Sequence, residues 1–401
     1  MSSDKLDRDG PHVSHTSIVA ATAQIALHLL RTAGEGNPVV APFGAYLALS
    51  MLAQGARGRT RDDLDRALGI RADGWDAALT ELRADLSHFD GDPALAAQPD
   101  LPDRPVLHLA SRLVFTDQLE PEPAFSAVLG DLFDAPTVRA DLSGSAGGDQ
   151  LSRWVNHHTG GLVDQSAVSP SRDLALVIQD VAVLAARWRH PFAAALTADR
   201  PFRTMAAGRK RRTSLIQVPT MVGSSMLWAT AECQGWTALR LPYQSGFVSD
   251  VLLPPDDGTD PARIDAQLLE SLRSALDSMS SEPREPVEVY LPRVRLSPPT
   301  LDLRPGLESL GLADLFDRPD LSGVTAEIPL AISQASAQTR LVMDEAGTLA
   351  AAVTEIALRA RGIVTKPPTR VQVDRPYLVR IGHEGSGLTL FLAAVRDPRS
   401  P

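Results

Sequence analysis

Apolar positions along the chain change texture about a third of the way in. Ile18, Ala21, Ile25 and Leu29 recur at helical spacing and stop near Gly34, and Gly44 to Leu52 forms a second apolar stretch after the break at Pro42. Both predict core helices. Gly55-Ala-Arg-Gly-Arg-Thr60 predicts a loop whose Thr60 stands at capping-box spacing from Asp63, ahead of a helix carrying Leu64, Ala67 and Leu68. Pro93 to Pro105 predicts an exposed connection, and Gly144 to Gly148 a second one before a helix with Leu151, Trp154, Val155 and His158. After that, Leu174 to Leu184, Trp236 to Leu241, Val248 to Leu253 and Val287 to Leu291 are short apolar or alternating runs bounded by proline and glycine, which predicts strands. There is no βαβ rhythm, internal repeat or linker rich in Gly, Ser or Pro. The expectation is therefore an α+β fold in one unit over 15–401, behind a polar tail at 1–14.

A length of 401 residues would by itself suggest two or three domains, so the single-unit reading rests on the pattern. Hydrophobic residues at 44% and charged residues at 22% exclude a disordered, collagen-like or mucin-like chain. With 39 basic residues against 49 acidic ones, the net charge of −10 argues against nucleic acid or an anionic membrane surface as the main partner. The single cysteine, Cys233, excludes an intrachain disulfide and a cysteine cluster for zinc or iron–sulfur. No apolar run is long enough to cross a bilayer, and the charged start at Met1 to Gly10 lacks a signal-type core. A cytoplasmic location is the default expectation, with an extracellular one left open.

Catalytic signatures are missing: the chain has no G-x-S-x-G elbow, Walker loop or H-E-x-x-H, and Gly34-Glu-Gly36 lacks the third glycine of a dinucleotide fingerprint. The expectation is a non-enzyme with no cofactor and no metal. His157 and His158 are adjacent on a helix and face different ways, so a shared metal is not expected there. Arg209, Lys210, Arg211 and Arg212 form the sharpest charge run, read as a solvated hairpin turn with a polyanion seat as the functional alternative. Asp180 interrupts an apolar strand. Burial there raises a carboxyl pKa and calls for a partner, and a hydrogen-bonded buried aspartate is the expected outcome ahead of a catalytic acid.

The stretch from Glu345 to Gly362 contains no proline and alternates. Thr348, Ala350, Ala352, Thr354, Ile356, Leu358 and Ala360 are small or apolar, whereas the other set holds the charges Glu355 and Arg359. That is strand patterning, yet the alanines and the flanking Gly347 and Gly362 equally suit an exposed loop or a frayed helix. Two accessible states are what a conformational switch requires.

At this point the chain resembles the serpin family over nearly its whole length. The resemblance is carried in order by Asn37-Pro38-Val-Val-Ala-Pro42, Leu49-Ser-Met-Leu52, Gly55 to Thr60, Trp154-Val-Asn-His-His-Thr-Gly160 and Trp188-Arg-His-Pro-Phe192. It continues through Val218-Pro-Thr-Met221, Leu241-Pro-Tyr243, Leu291-Pro-Arg293, Asp320-Leu-Ser-Gly323 and Phe391-Leu392 to Pro398. The resemblance implies one monomeric domain of three β-sheets and about nine helices, with an exposed reactive-centre loop at about 345–370. It implies a suicide-substrate inhibitor of trypsin-like or subtilisin-like serine proteases, in which the cleaved loop inserts into the central sheet and traps the protease. Glu345, Gly347 and Thr348 match the hinge, and Ala350, Ala351 and Ala352 the small-residue stretch behind it. Counting along the loop places the reactive bond between Arg361 and Gly362, with Arg359 as a competing bait residue. Arg293 and Glu345 match a charged pair at the top of the sheet. Where the family places two serines, an asparagine and a histidine for sheet opening, this chain has Ala41, Gly44, Asp180 and Ala337. That departure, with Leu349 in place of an acidic hinge residue, keeps open a non-inhibitory binding or scaffold protein. An intracellular enzyme repurposed from the fold for a small molecule is a further alternative.

Overall fold

The structure, a computed structural model, describes residues 10–71, 74–98, 100–205, 214–279, 285–348 and 368–399, with side chains from residue 15. Its described residues form eight α-helices, against about nine expected: α1 (Gly10–Thr32), α2 (Pro42–Gly55), α3 (Gly58–Leu68), α4 (Trp75–Ser87), α5 (Pro123–Phe133), α6 (Ser145–His158), α7 (Ala266–Met279) and α8 (Arg304–Ser309). α1 reaches back to Gly10, into the stretch read as tail. α2 opens on a proline, at a position where no N–H is needed, and α3 closes on Gly69 at φ 68°, a left-handed cap that suits glycine.

Two corrections concern the connections. Thr60 does not cap α3: the helix begins at Gly58, and the Thr60 hydroxyl accepts from the Asp320 N–H at 2.8 Å. A tertiary partner has taken the oxygen that the local pattern assigned to a cap. The same crossing joins two of the sequence motifs, since Arg57 N–H donates to the Asp320 carbonyl and Gly323 N–H to the Gly55 carbonyl, both at 2.9 Å. A Cβ on Gly55 would lie 2.2 Å from Val324 Cγ2, so only glycine permits the approach. Pro93 to Pro105 is likewise not simply exposed. It holds a short 3₁₀ turn, and Ala96 and Leu101 are buried against Val181, Val183, Ala185 and Val342.

Three main sheets and a two-stranded ribbon complete the fold. One six-stranded antiparallel sheet runs β1 (Val39–Val40), β18 (Thr389–Val395), β17 (Tyr377–His383), β9 (Phe247–Leu253), β8 (Trp236–Pro242), β7 (Ala229–Cys233). Its strands β9, β17 and β18 are buried throughout, and β9 and β17 bury Asp250 and Arg380 among their apolar residues. A four-stranded sheet runs β16 (Thr369–Gln372), β10 (Val287–Pro292), β6 (Leu215–Ser225), β5 (Ala198–Arg203). The central sheet runs β11 (Val294–Leu296), β14 (Leu341–Met343), β15 (Gly347–Thr348), β4 (Leu176–Arg187), β2 (Val106–Thr116), β3 (Thr137–Ala140), and β12 (Leu301–Asp302) pairs with β13 (Ser336–Ala337) below it.

The faces of β4 divide by parity, as a strand requires. Leu184 and Ala186 join the main core that contains α2, whereas Val181, Val183 and Ala185 pack with Trp154 of α6 and with Leu162 beyond it. The central sheet is thus clamped between α2 on one face and α6 on the other.

Candidate functional site

At the top of the central sheet, Gly347–Thr348 already lies as a strand between two others. Met343 pairs with Thr348 on one side, and on the other Gly347 pairs with Arg187 and Thr348 with Ala186. Glu345, just ahead, accepts from Arg293 Nε at 2.7 and 2.8 Å and from the Thr197 hydroxyl. Trp188 Nε1 donates to the Asp344 carbonyl at 2.8 Å, and its ring stacks on Tyr243 at 4.4 Å. Thr348 is buried and shares a short hydroxyl contact with Tyr243, whose phenol is pushed well up by burial and so keeps its proton. The first residue of the small, uncharged set therefore faces the core.

Among the described residues, no strand pairs with β4 below Thr348 on this side. β4 pairs with β2 along most of its length, but toward β14 its ladder holds only Ala186 and Arg187. Beside that free edge is a cavity of about 250 Å³, bordered by β4, by α2 and by residues 330–341. Ala41, Gly44, Asp180 and Ala337 all line it. The backbone groups along such an edge are an unfilled template for another strand.

Asp180 points from β4 toward α2. Its Oδ1 accepts from Ser111 Oγ at 2.6 Å, and a Cβ built on Gly44 would lie 1.8 Å from Oδ2. The carboxylate occupies the space that a side chain at 44 would take. It keeps some accessible surface because it borders the cavity, yet protein surrounds it, and loss of solvation raises its pKa from 3.8 to about 6 against the opposing pull of the Ser111 hydrogen bond. A carboxyl group with one hydroxyl donor and an apolar wall can hold or release a proton just below neutrality. No second titratable group joins it in the cavity wall except Arg340.

On the opposite face, Arg112 is buried and donates to Gln179 Oε1 at 2.9 and 2.7 Å and to the Gln150 carbonyl at 3.3 Å. Burial lowers its pKa to about 10, and no carboxylate among the described residues pairs with it. Sequence reasoning missed Ser111, Arg112 and Thr197, and named Tyr243 only as part of a motif, without its contact to Thr348. The first two become legible only once the β2–β4 register is known, since Ser111 stands opposite Asp180 and Arg112 opposite Gln179.

Ala350, Ala351, Ala352, Arg361 and Gly362, together with Arg209, Lys210, Arg211 and Arg212, lie outside the described residues. His158 meets His108 of β2 at 2.9 Å, with the His157 ring edge-on to it. Among the described residues no group of three or more His, Cys, Asp or Glu gathers to hold a metal, and no helix is long and apolar enough to cross a membrane.

Gly347–Thr348 thus sits as a strand at the top of the central sheet, just after the Arg293–Glu345 pair. The family model described as serpin (serine protease inhibitor) matches residues 19–398, and the chain belongs to that family. It is 29% identical to the leukocyte elastase inhibitor of Bos taurus over 393 residues, covering 94% of this chain and 99% of the relative. It is 24% identical to plasminogen activator inhibitor 1 of Mus musculus, covering 96% of this chain and 93% of the relative. Among solved structures, human glycosylated kallistatin superposes with a TM-score of 0.77 at 21% identity, over 97% of this chain and 99% of that one. The thermophilic serpin Tengpin in its native state superposes at 0.76 and 21% identity, over 99% and 96%. These structures share the serpin fold with this chain.

Proposed function

We propose that the protein is an inhibitor of trypsin-like or subtilisin-like serine proteases that acts as a suicide substrate. The observation that carries the reading is the hinge: Gly347–Thr348 is paired on both sides, and no described residue pairs with the β4 edge that continues below it. The pairs Gly347–Arg187 and Thr348–Ala186 set a register. Continued down β4, it would seat Ala350, Ala352 and Thr354 opposite Leu184, Ala182 and Asp180, and bring Leu358 opposite Leu176, the first residue of β4. Every residue that this register turns toward the core is uncharged, so insertion desolvates no charge on that face. The outward set then places Glu355 opposite Gln179, beside the guanidinium of Arg112. The names of the relatives, an elastase inhibitor and a plasminogen activator inhibitor, support a protease as partner.

The reactive bond in this reading is Arg361–Gly362, because an extended basic residue suits a specificity pocket with an acidic floor. Incubation with trypsin tests it. The expected result is a complex that survives SDS and a released fragment beginning at Gly362. A fragment beginning elsewhere refutes the assigned bond, and complete cleavage with active free protease refutes inhibition. That second outcome would favour a binding role or small-molecule chemistry at Asp180.

A further inference from the structure

The cluster where α6 meets β2 takes no part in the hinge or the cavity. His158, in the last turn of α6, stands with Nδ1 2.9 Å from Nε2 of His108 on β2, the two rings 5° from parallel. His108 turns its other nitrogen to Asp90 Oδ1 at 2.8 Å, in the connection between α4 and β2. An ionised carboxylate only accepts, so Nδ1 of His108 carries a hydrogen and Nε2 a lone pair, and the hydrogen between the rings belongs to His158. The remaining neighbours are aromatic or cationic. Trp154 packs on His158 at 4.4 Å, His157 lies 5.0 Å away, and Arg112 from β2 stands 4.8 Å over the Trp154 ring. β4 contributes the neutral Gln179, and Asp90 is exposed.

We propose that the His108–His158 pair is a proton-operated latch that docks the end of α6 onto the central sheet near neutral pH and releases it on acidification. A separation of 2.9 Å between two nitrogens accommodates one hydrogen. When both rings are cations, N–H meets N–H beside the buried, uncompensated Arg112, and the contact becomes repulsive. The sign follows from the same geometry. Burial first, then the charges of His108, His157 and Arg112, hold His158 at about 4, below the 6.5 of a free imidazole. The docked helix binds the proton less readily than the released one, so docking is complete above about pH 6.5 and weakens as pH falls toward 4. Release at this position bears on the sheet directly, because α6 covers β4, the edge that a new strand must join. That consequence for trapping rests on the proposed function; the latch itself rests only on the fold.

Hydrogen exchange of the full-length protein tests the latch, read on the backbone amides of α6 after correction for intrinsic rates, with the β9 and β17 amides as internal reference. Between pH 7.5 and 5.0 the α6 protection should fall about tenfold relative to the reference; the full shift corresponds to about 30-fold, trimmed for solvent screening of a partly buried ring. His158→Gln, which still donates and accepts but cannot titrate, should flatten the dependence. Equal loss of protection in wild type and variant overturns the proposal. Should the variant fold poorly, an NMR titration of the wild-type His158 imidazole C–H resonances decides: a midpoint well below 6.5 is expected, and a midpoint at or above 6.5 overturns the proposal. A trapping rate that ignores pH while α6 protection falls would overturn the proposed insertion and leave the latch standing.

Discussion

Replacing Asp180 with asparagine isolates the cost of a single carboxyl group. The native carboxylate has Ser111 Oγ at 2.6 Å on one oxygen and the Cα of a glycine facing the other, and burial raises its pKa from 3.8 to about 6. The unfolded chain ionises this group first as pH rises, so stability declines between about 3.8 and 6 and the deficit is complete above 6. A displacement of that size is worth about 3 kcal/mol. Asparagine preserves the shape and the acceptor for Ser111 and cannot ionise. The variant should match the wild type at pH 3.5 and exceed it by up to about 3 kcal/mol at pH 7.5, a rise of a few degrees in melting temperature for a chain of this length. The measurement is the difference between the two unfolding curves at each pH, which cancels the His158 contribution running the opposite way. A constant difference across the range, or an asparagine variant that is weaker near neutrality, would mean that Asp180 is ionised and paired in the native protein, and the desolvation argument would fail.

Three further outcomes are expected. Thr348→Arg puts a cation at a position 3% exposed, at a cost of several kcal/mol, so the hinge should leave the sheet and the protein should be cleaved as a substrate without forming an SDS-stable complex. Gly44→Ser drives its Cβ into Asp180 Oδ2, at about 1–3 kcal/mol, and pairing it with Asp180→Ala should recover most of the loss in a double-mutant cycle. Glu355→Gln should leave the uncleaved protein unchanged and lower the melting temperature of the loop-cleaved form, because Arg112 loses the counterion that insertion would bring; an unchanged cleaved form removes that pairing.

The sequence exposed elements more readily than their meetings. The strands over β4, β8, β9 and β10 and the helices α1, α2 and α6 were legible because a periodicity of two or 3.6 is a local property. Arg240, Asp250 and Arg380 were not. They form a buried ion triad, with Arg240 Nε 2.7 Å and Arg380 Nη1 2.9 Å from Asp250, inside strands whose apolar runs hide a charge that only cross-strand register satisfies. The same limit applies to Ser111 beneath Asp180 and to His108 beneath His158, each about 50 residues or more from its partner. Thr60 shows the opposite error, a local motif overruled by the Asp320 backbone.

Gly44 and Asp180 read differently once both are in place. Taken along the chain, they are two departures from the polar cluster that the family resemblance leads one to expect. In the fold they are one: the carboxylate fills the volume that a side chain at 44 would occupy, so the acid requires the glycine and the glycine leaves a hole without the acid. With Ala41 and Ala337 the exchange leaves, in place of the polar cluster that the resemblance implies, one carboxyl group with a single side-chain donor in the cavity wall. A carboxyl group so placed has unused acceptor capacity on Oδ2, and the register from Gly347 and Thr348 would bring the hydroxyl of Thr354 opposite it. Sheet opening would then be resisted by fewer hydrogen bonds than a four-membered cluster provides, while the inserted strand would gain one that the open state lacks. If the loop inserts as proposed, the altered cluster would lower the barrier to insertion, and the Asp180→Asn variant, whose amide can donate to the Thr354 hydroxyl that the carboxylate would accept from, should still insert its loop while melting at a higher temperature.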